Sequence, residues 1–92
     1  MNYVERLRAE LVLLLPLLPI TLIDFYTLLG LTCGDTVTNE DVHDAWAIWT
    51  NTRTPHHADL LPYDELNKDT QAKDGYYAEK ISEAVRLVRQ SD

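Results

Sequence analysis

The leucine-rich run from Leu11 to Ile23 limits the fold more than any other stretch, because Pro16 and Pro19 cut it. Proline has no amide to donate and disfavours helical backbone in the residue before it, so a single helix cannot pass through both. The run must therefore be helix, turn and helix, with most of its leucines facing a common core. It follows Arg6 and Arg8 as the apolar part of a signal peptide follows a basic one. Against that reading, Glu10 and Asp24 bracket the run, no small-x-small cleavage site follows, and Gly30-Leu31-Thr32-Cys33 lacks a lipoprotein signal. A membrane span needs about 20 apolar residues, which the flanking charges do not leave, so no membrane partner is expected.

Around this break the helices can be placed by periodicity. Val4, Leu7, Leu11 and Leu14 recur at helical spacing, with Asn2 as a cap. Pro19 suits the first position of a second helix running to about Leu29, with Leu22, Phe25, Tyr26 and Leu29 inward and Gly30 and Gly34 closing it. Thr38 to Asp41 reads as the capped start of a third helix bearing Val42, Ala45, Trp46 and Trp49 at i, i+3, i+4 and i+7. Asn51 to Pro55 reads as loop, and Pro62-Tyr63-Asp64-Glu65-Leu66 as a turn. Asn67 or Asp69 opens a last helix whose buried stripe is Tyr77, Ile81, Ala84, Val85 and Val88, with Arg86 and Arg89 at its cation-favouring end. No stretch alternates as a strand does. The expectation is a mainly α fold: one domain over residues 1–92, about four helices around one small core. It divides into an N-terminal helical pair (1–34) and a helix–loop–helix (38–90) with an ordered loop.

A 92-residue chain buries a thin core, and small domains often add a staple. Cys33 is alone, so no intrachain disulfide forms, and a lone thiol fits a reducing cytoplasm. No Cys-x-x-Cys or His-x-x-x-His pair suggests zinc. Self-association, most simply a homodimer, is the remaining staple. The net charge of −7, with Lys and Arg scattered singly, excludes nucleic acid as a partner.

Chemistry concentrates between Asp41 and Asp74, which hold both tryptophans and all three histidines. Trp46 and Trp49 lie on the inward stripe; they either fill the core or wall a groove in which a planar ligand stacks. His43, one position from the stripe, is of the kind that donates to a backbone carbonyl and pins a loop, here the Pro62-Tyr63 region. His57 holds the loop against the third helix, and Tyr63 offers a hydroxyl. Arg53 and Lys73 are the cations near enough in sequence to meet an anionic group. Adjacent His56 and His57 do not converge on one ion with His43 and Asp59 without strain, so no metal is assigned. Asp74 reads as a solvated or Arg-paired carboxylate, and Cys33 as a small core residue. With no glycine-rich phosphate loop, nucleophile elbow or paired carboxylates, neither enzyme activity nor a cofactor is expected.

The order of these residues resembles the RyR domain, the repeat of ryanodine receptor channels. That family carries His-x-x-Trp on a helix, then Lys/Arg-x-His-Pro-x-Leu-x-Pro-Tyr-x-x-Leu, then an Asp opening the last helix. The matching residues are His43 and Trp46; His57, Leu60, Pro62, Tyr63 and Leu66; and Asp74. Ala58 stands where the family has proline, and its Gly-Trp-x-Tyr-Gly segment is missing. The chain as a whole also resembles small proteins of actinobacteria and their phages. The RyR resemblance implies a module that holds a nucleotide-like ligand, with Trp46 stacked on the base and a homodimer imitating paired repeats. In a phage, such a module would sequester a defence signal in the host cytoplasm. The sequence expectation is a non-catalytic binding module for a nucleotide-like or other planar small ligand, using Trp46, Trp49, His43, His57, Tyr63 and Arg53. The alternative is a protein–protein interaction module that docks through the apolar N-terminal helices.

Overall fold

A computed structural model of the chain describes residues 1–90. Four helices, α1 (Tyr3–Leu14), α2 (Ile20–Cys33), α3 (Asn39–Asn51) and α4 (Lys68–Gln90), carry the fold, with single 3₁₀ turns at Gly34–Thr36 and Tyr63–Glu65. No strand occurs among the described residues. None of the described helices is long and apolar enough to cross a membrane.

Each helix starts where a local donor or acceptor satisfies its free end. Asn2 Oδ1 accepts from the Glu5 amide at 2.9 Å while its amide group donates to Glu5 Oε1 at 3.0 Å. Thr38 and Asp41 close a reciprocal capping box: Thr38 Oγ1 accepts from the Asp41 amide at 3.1 Å, and Asp41 Oδ2 accepts from the Thr38 amide at 3.0 Å. Asn67, rather than Asp69, caps α4 by accepting from the Thr70 amide at 2.8 Å. Pro19 sits one residue outside α2 as its cap, in extended conformation, and its carbonyl takes the Leu22 and Ile23 amides at 3.0 Å.

α2 does not end near Leu29. Gly30 is buried inside the helix, where an added Cβ would stand 2.7 Å from Leu7 Cδ2 and 3.2 Å from Val85 Cγ2. Its role is to let α1, α2 and α4 approach, and the helix stops four residues later at Gly34, whose φ of 65° favours glycine. α4 packs against the other three helices, and the core runs along it from Ala78 and Ile81 to Ala84 and Val85. The inward faces of the first two helices are rotated from the simplest periodic reading. Leu15 is buried where Val4 is exposed, and Ile23, Thr27 and Gly30 are buried where Phe25 and Leu29 are only half-covered. α2 has neighbours on two sides, so its buried surface is broader than one stripe. Cys33 is packed against the core.

Candidate functional site

The loop from Thr52 to Pro62 folds back over α3 and leaves a recess of about 240 Å³ lined by Tyr26 of α2, His43 and Trp46 of α3, His57 and Asp59 of the loop, and Thr70, Lys73, Asp74 and Tyr77 of α4.

His43 organises this region. It is buried, at 2% exposure, and its Nε2 lies 2.6 Å from the Leu61 carbonyl oxygen. A carbonyl only accepts, so Nε2 carries the proton and donates. Nδ1 then points at Asp74 Oδ2 across 3.8 Å, too far for a hydrogen bond. The imidazole is stacked on Trp46, with ring centroids 5.6 Å apart at 28°, and lies 6.3 Å from the Tyr63 ring. His57 also contacts the indole, with ring centroids 5.1 Å apart in a T-shaped arrangement at 85°. His57 Nδ1 accepts from the Asp59 amide at 3.0 Å, and the Leu60 amide donates to the His57 carbonyl at 3.1 Å. Tyr63 is fixed rather than presented: its hydroxyl accepts from Asn39 Nδ2 at 3.2 Å, and its carbonyl accepts from Gln71 at 3.0 Å.

Trp49 and Arg53 are not part of the recess. Trp49 Nε1 donates to Thr21 Oγ1 at 2.9 Å, and the Arg53 guanidinium covers the indole face at 4.3 Å while donating to the Trp49 carbonyl and to Thr21. This is a latch between the end of α3 and the start of α2. His56 is exposed. Among the described residues no group of three His, Cys, Asp or Glu side chains is placed to hold a metal ion.

Asp74 is the residue that sequence reasoning missed. It is neither solvated nor paired with an arginine: it is 8% exposed, and Oδ2 is buried with no hydrogen-bond partner. Loss of solvent pushes its carboxyl above the ordinary value of 3.8; His43 opposes that shift and Asp59 adds to it. Burial likewise raises the Tyr26 hydroxyl, helped by Tyr77 and Asp74, and the two tyrosine rings stand 5.9 Å apart. A signal for Asp74 existed. Asp74, Tyr77, Ala78 and Ile81 repeat at i, i+3, i+4 and i+7, so the buried stripe of α4 extends one turn further back than its apolar residues do.

The model of one family, described as a domain of unknown function (DUF7701), matches residues 2–86, and the chain belongs to that family. No curated protein matches the chain, and no solved structure matches it. The family match corrects the RyR resemblance. It takes in the N-terminal helical pair and α3, loop and α4 as one unit, whereas the resemblance rested on short motifs. Those motif residues have local duties here: His43 ties down Leu61, and Trp46 packs on His57. Any loop closing over a helix can ask for such residues, so their order does not identify a family.

Proposed function

We propose that the chain is a non-catalytic binding module for one small planar ligand held against Trp46, His57 and Tyr77. The observation that carries this reading is convergence: aromatic side chains from three elements and a largely buried carboxylate border one recess. Ligand pockets usually span about 300–1,000 Å³, so 240 Å³ suits a single ring with short substituents, of nucleobase size. Asp59 and Asp74 outnumber Lys73 on the walls, which disfavours a phosphate chain there. A binding role is also the better use of His43, whose nitrogens face a carbonyl and a carboxylate within the protein rather than open space.

Titration of the intact chain with nucleobases, nucleosides and nucleotides, followed by the Trp46 and His57 resonances, tests this. Base stacking on an aromatic ring is worth about 1–3 kcal/mol, so Trp46→Ala is expected to weaken a bound ring roughly 5- to 150-fold. A panel that moves neither resonance refutes the proposal.

A second reading has one observation in its favour. Leu13 and Leu17, at the α1–α2 corner, are 74% and 95% exposed, an apolar edge that a second copy of the chain would cover. Sedimentation over a range of concentrations tests it. A dimer that Leu17→Lys dissociates supports the reading, and a monomer throughout refutes it.

A further inference from the structure

Resting on the binding reading, we propose that the recess selects a planar cation with N–H donors, such as an amidinium, a guanidinium or a protonated amino-heterocycle, and that Asp74 is its counter-charge. The walls supply the two things such a group needs. Aromatic faces carry negative charge density, and a cation within about 6 Å of a ring centroid is attracted to it; Trp46 and Tyr77, both half-buried, line the recess. A carboxylate accepts charge-assisted N–H bonds from such a cation. Asp74 brings that charge to the site: it lines the recess with its side chain 12% exposed, while Oδ2 is buried, faces His43 Nδ1 at 3.8 Å and accepts no hydrogen bond.

The other groups around it do not meet that need. His43 keeps Nδ1 3.8 Å away and commits Nε2 to Leu61. Lys73 lines the recess from an exposed position on α4, and Asp59 adds a second negative charge from the loop. A desolvated carboxylate without a donor costs folding free energy, and most buried polar groups in proteins avoid that state. Here the carboxylate sits at the wall of a recess, where a bound cation would supply the counter-charge it lacks. A neutral ring that presents a carbonyl, or an anion, sets an acceptor against an acceptor and is rejected.

The test uses three ligands of one shape: benzamidine, benzamide and benzoate, titrated at neutral pH into the intact chain and read by calorimetry and the Trp46 resonance. Benzamidine is expected to bind at least tenfold more tightly than benzamide, and benzoate not to bind. Asp74→Asn is expected to bring benzamidine within about threefold of benzamide. Benzamide binding as well as benzamidine, or an Asp74→Asn variant that keeps the preference, overturns the cation assignment while the planar-ligand reading stands. If no ring, charged or neutral, moves Trp46, the binding reading itself fails. The comparison on the native chain decides the matter even if the variant does not fold. A guanidinium can belong to a free small molecule or to an arginine side chain; agmatine and a Gly-Arg-Gly tripeptide separate these sources. Tighter binding of either supports the assignment and names the source, and binding of neither overturns it for guanidinium.

Discussion

Replacing His43 with alanine tests whether one side chain holds the loop, α3 and α4 together. Three losses follow from its surroundings. The ring is buried against Trp46 and Tyr63, and large-to-small changes at buried positions cost about 2–5 kcal/mol. The low end applies, because the neighbouring recess lets solvent reach the space left behind. The 2.6 Å bond to Leu61 contributes about 0.5–1.5 kcal/mol, again at the low end, since Leu61 is 44% exposed and its carbonyl can turn to water. Third, the imidazole is the neighbour that favours the charged form of Asp74, and its removal leaves that carboxylate worse placed. Together these give a loss of about 2–4 kcal/mol, out of a total stability of roughly 5–14 kcal/mol for a domain this size. At about 4–8 °C per kcal/mol, the melting temperature falls by roughly 8–30 °C. Urea denaturation measures the loss, and hydrogen exchange locates it. The Asp59 and Leu60 amides, bonded to His57, should lose protection before α1 and α2 do. His43→Gln, which keeps an N–H donor, should recover part of the loss. If His43→Ala costs less than about 1 kcal/mol and both amides stay protected, the loop is held by something else and the reasoning is wrong.

Three further outcomes are expected. Asp74 binds its proton more tightly when folded than when unfolded, so its contribution to stability is fully present below the unfolded value and is lost as pH rises through the folded one. Asp74→Asn should therefore be at least as stable as the native chain at neutral pH and lose that advantage toward pH 3, as read by urea midpoints across the range. Gly34→Ala forces a side chain into φ 65°, ψ −137° and sets its Cβ 2.8 Å from Arg89 Nη2; a cost of about 1–3 kcal/mol in urea denaturation is expected. Thr38→Ala dismantles the capping box of α3 and should cost about 0.5–2 kcal/mol, which thermal denaturation would detect as a lower melting temperature.

Features decided by neighbours in sequence were legible, and those decided by neighbours in space were less so. Asn2, Thr38 and Asn67 cap because the residues they bond lie three positions away. The proline break between α1 and α2 is likewise a property of the local backbone. In sequence Gly30 reads as a terminator because glycine often ends helices, yet here a missing Cβ serves three helices that meet only after folding. The two tryptophans show the same divide. Both are half-covered and occupy one stripe of α3, but Trp46 lines the recess, whereas Trp49 is engaged by Thr21 and covered by Arg53. Periodicity places them on one face and does not say which neighbour each will meet.

Asp74 is the position where local and tertiary rules disagree most, and the disagreement points to use. A sequence whose parts agree puts a carboxylate in water or beside a cation, and departures from such agreement collect where function pays for them. The apolar residues of α4 would fold with a leucine or an asparagine at position 74, sparing the cost of a buried, donorless oxygen. What the carboxylate adds is charge at the wall of the recess, next to a histidine already bound to the loop and between rings that attract cations. Stability alone selects against that arrangement, whereas a ligand bearing N–H donors makes it favourable. The expected signature is opposite signs at one residue: Asp74→Asn leaves the free protein as stable or more stable while it removes the preference for a planar cation. A buried carboxylate kept only for folding would instead lose stability on substitution and leave ligand preference unchanged.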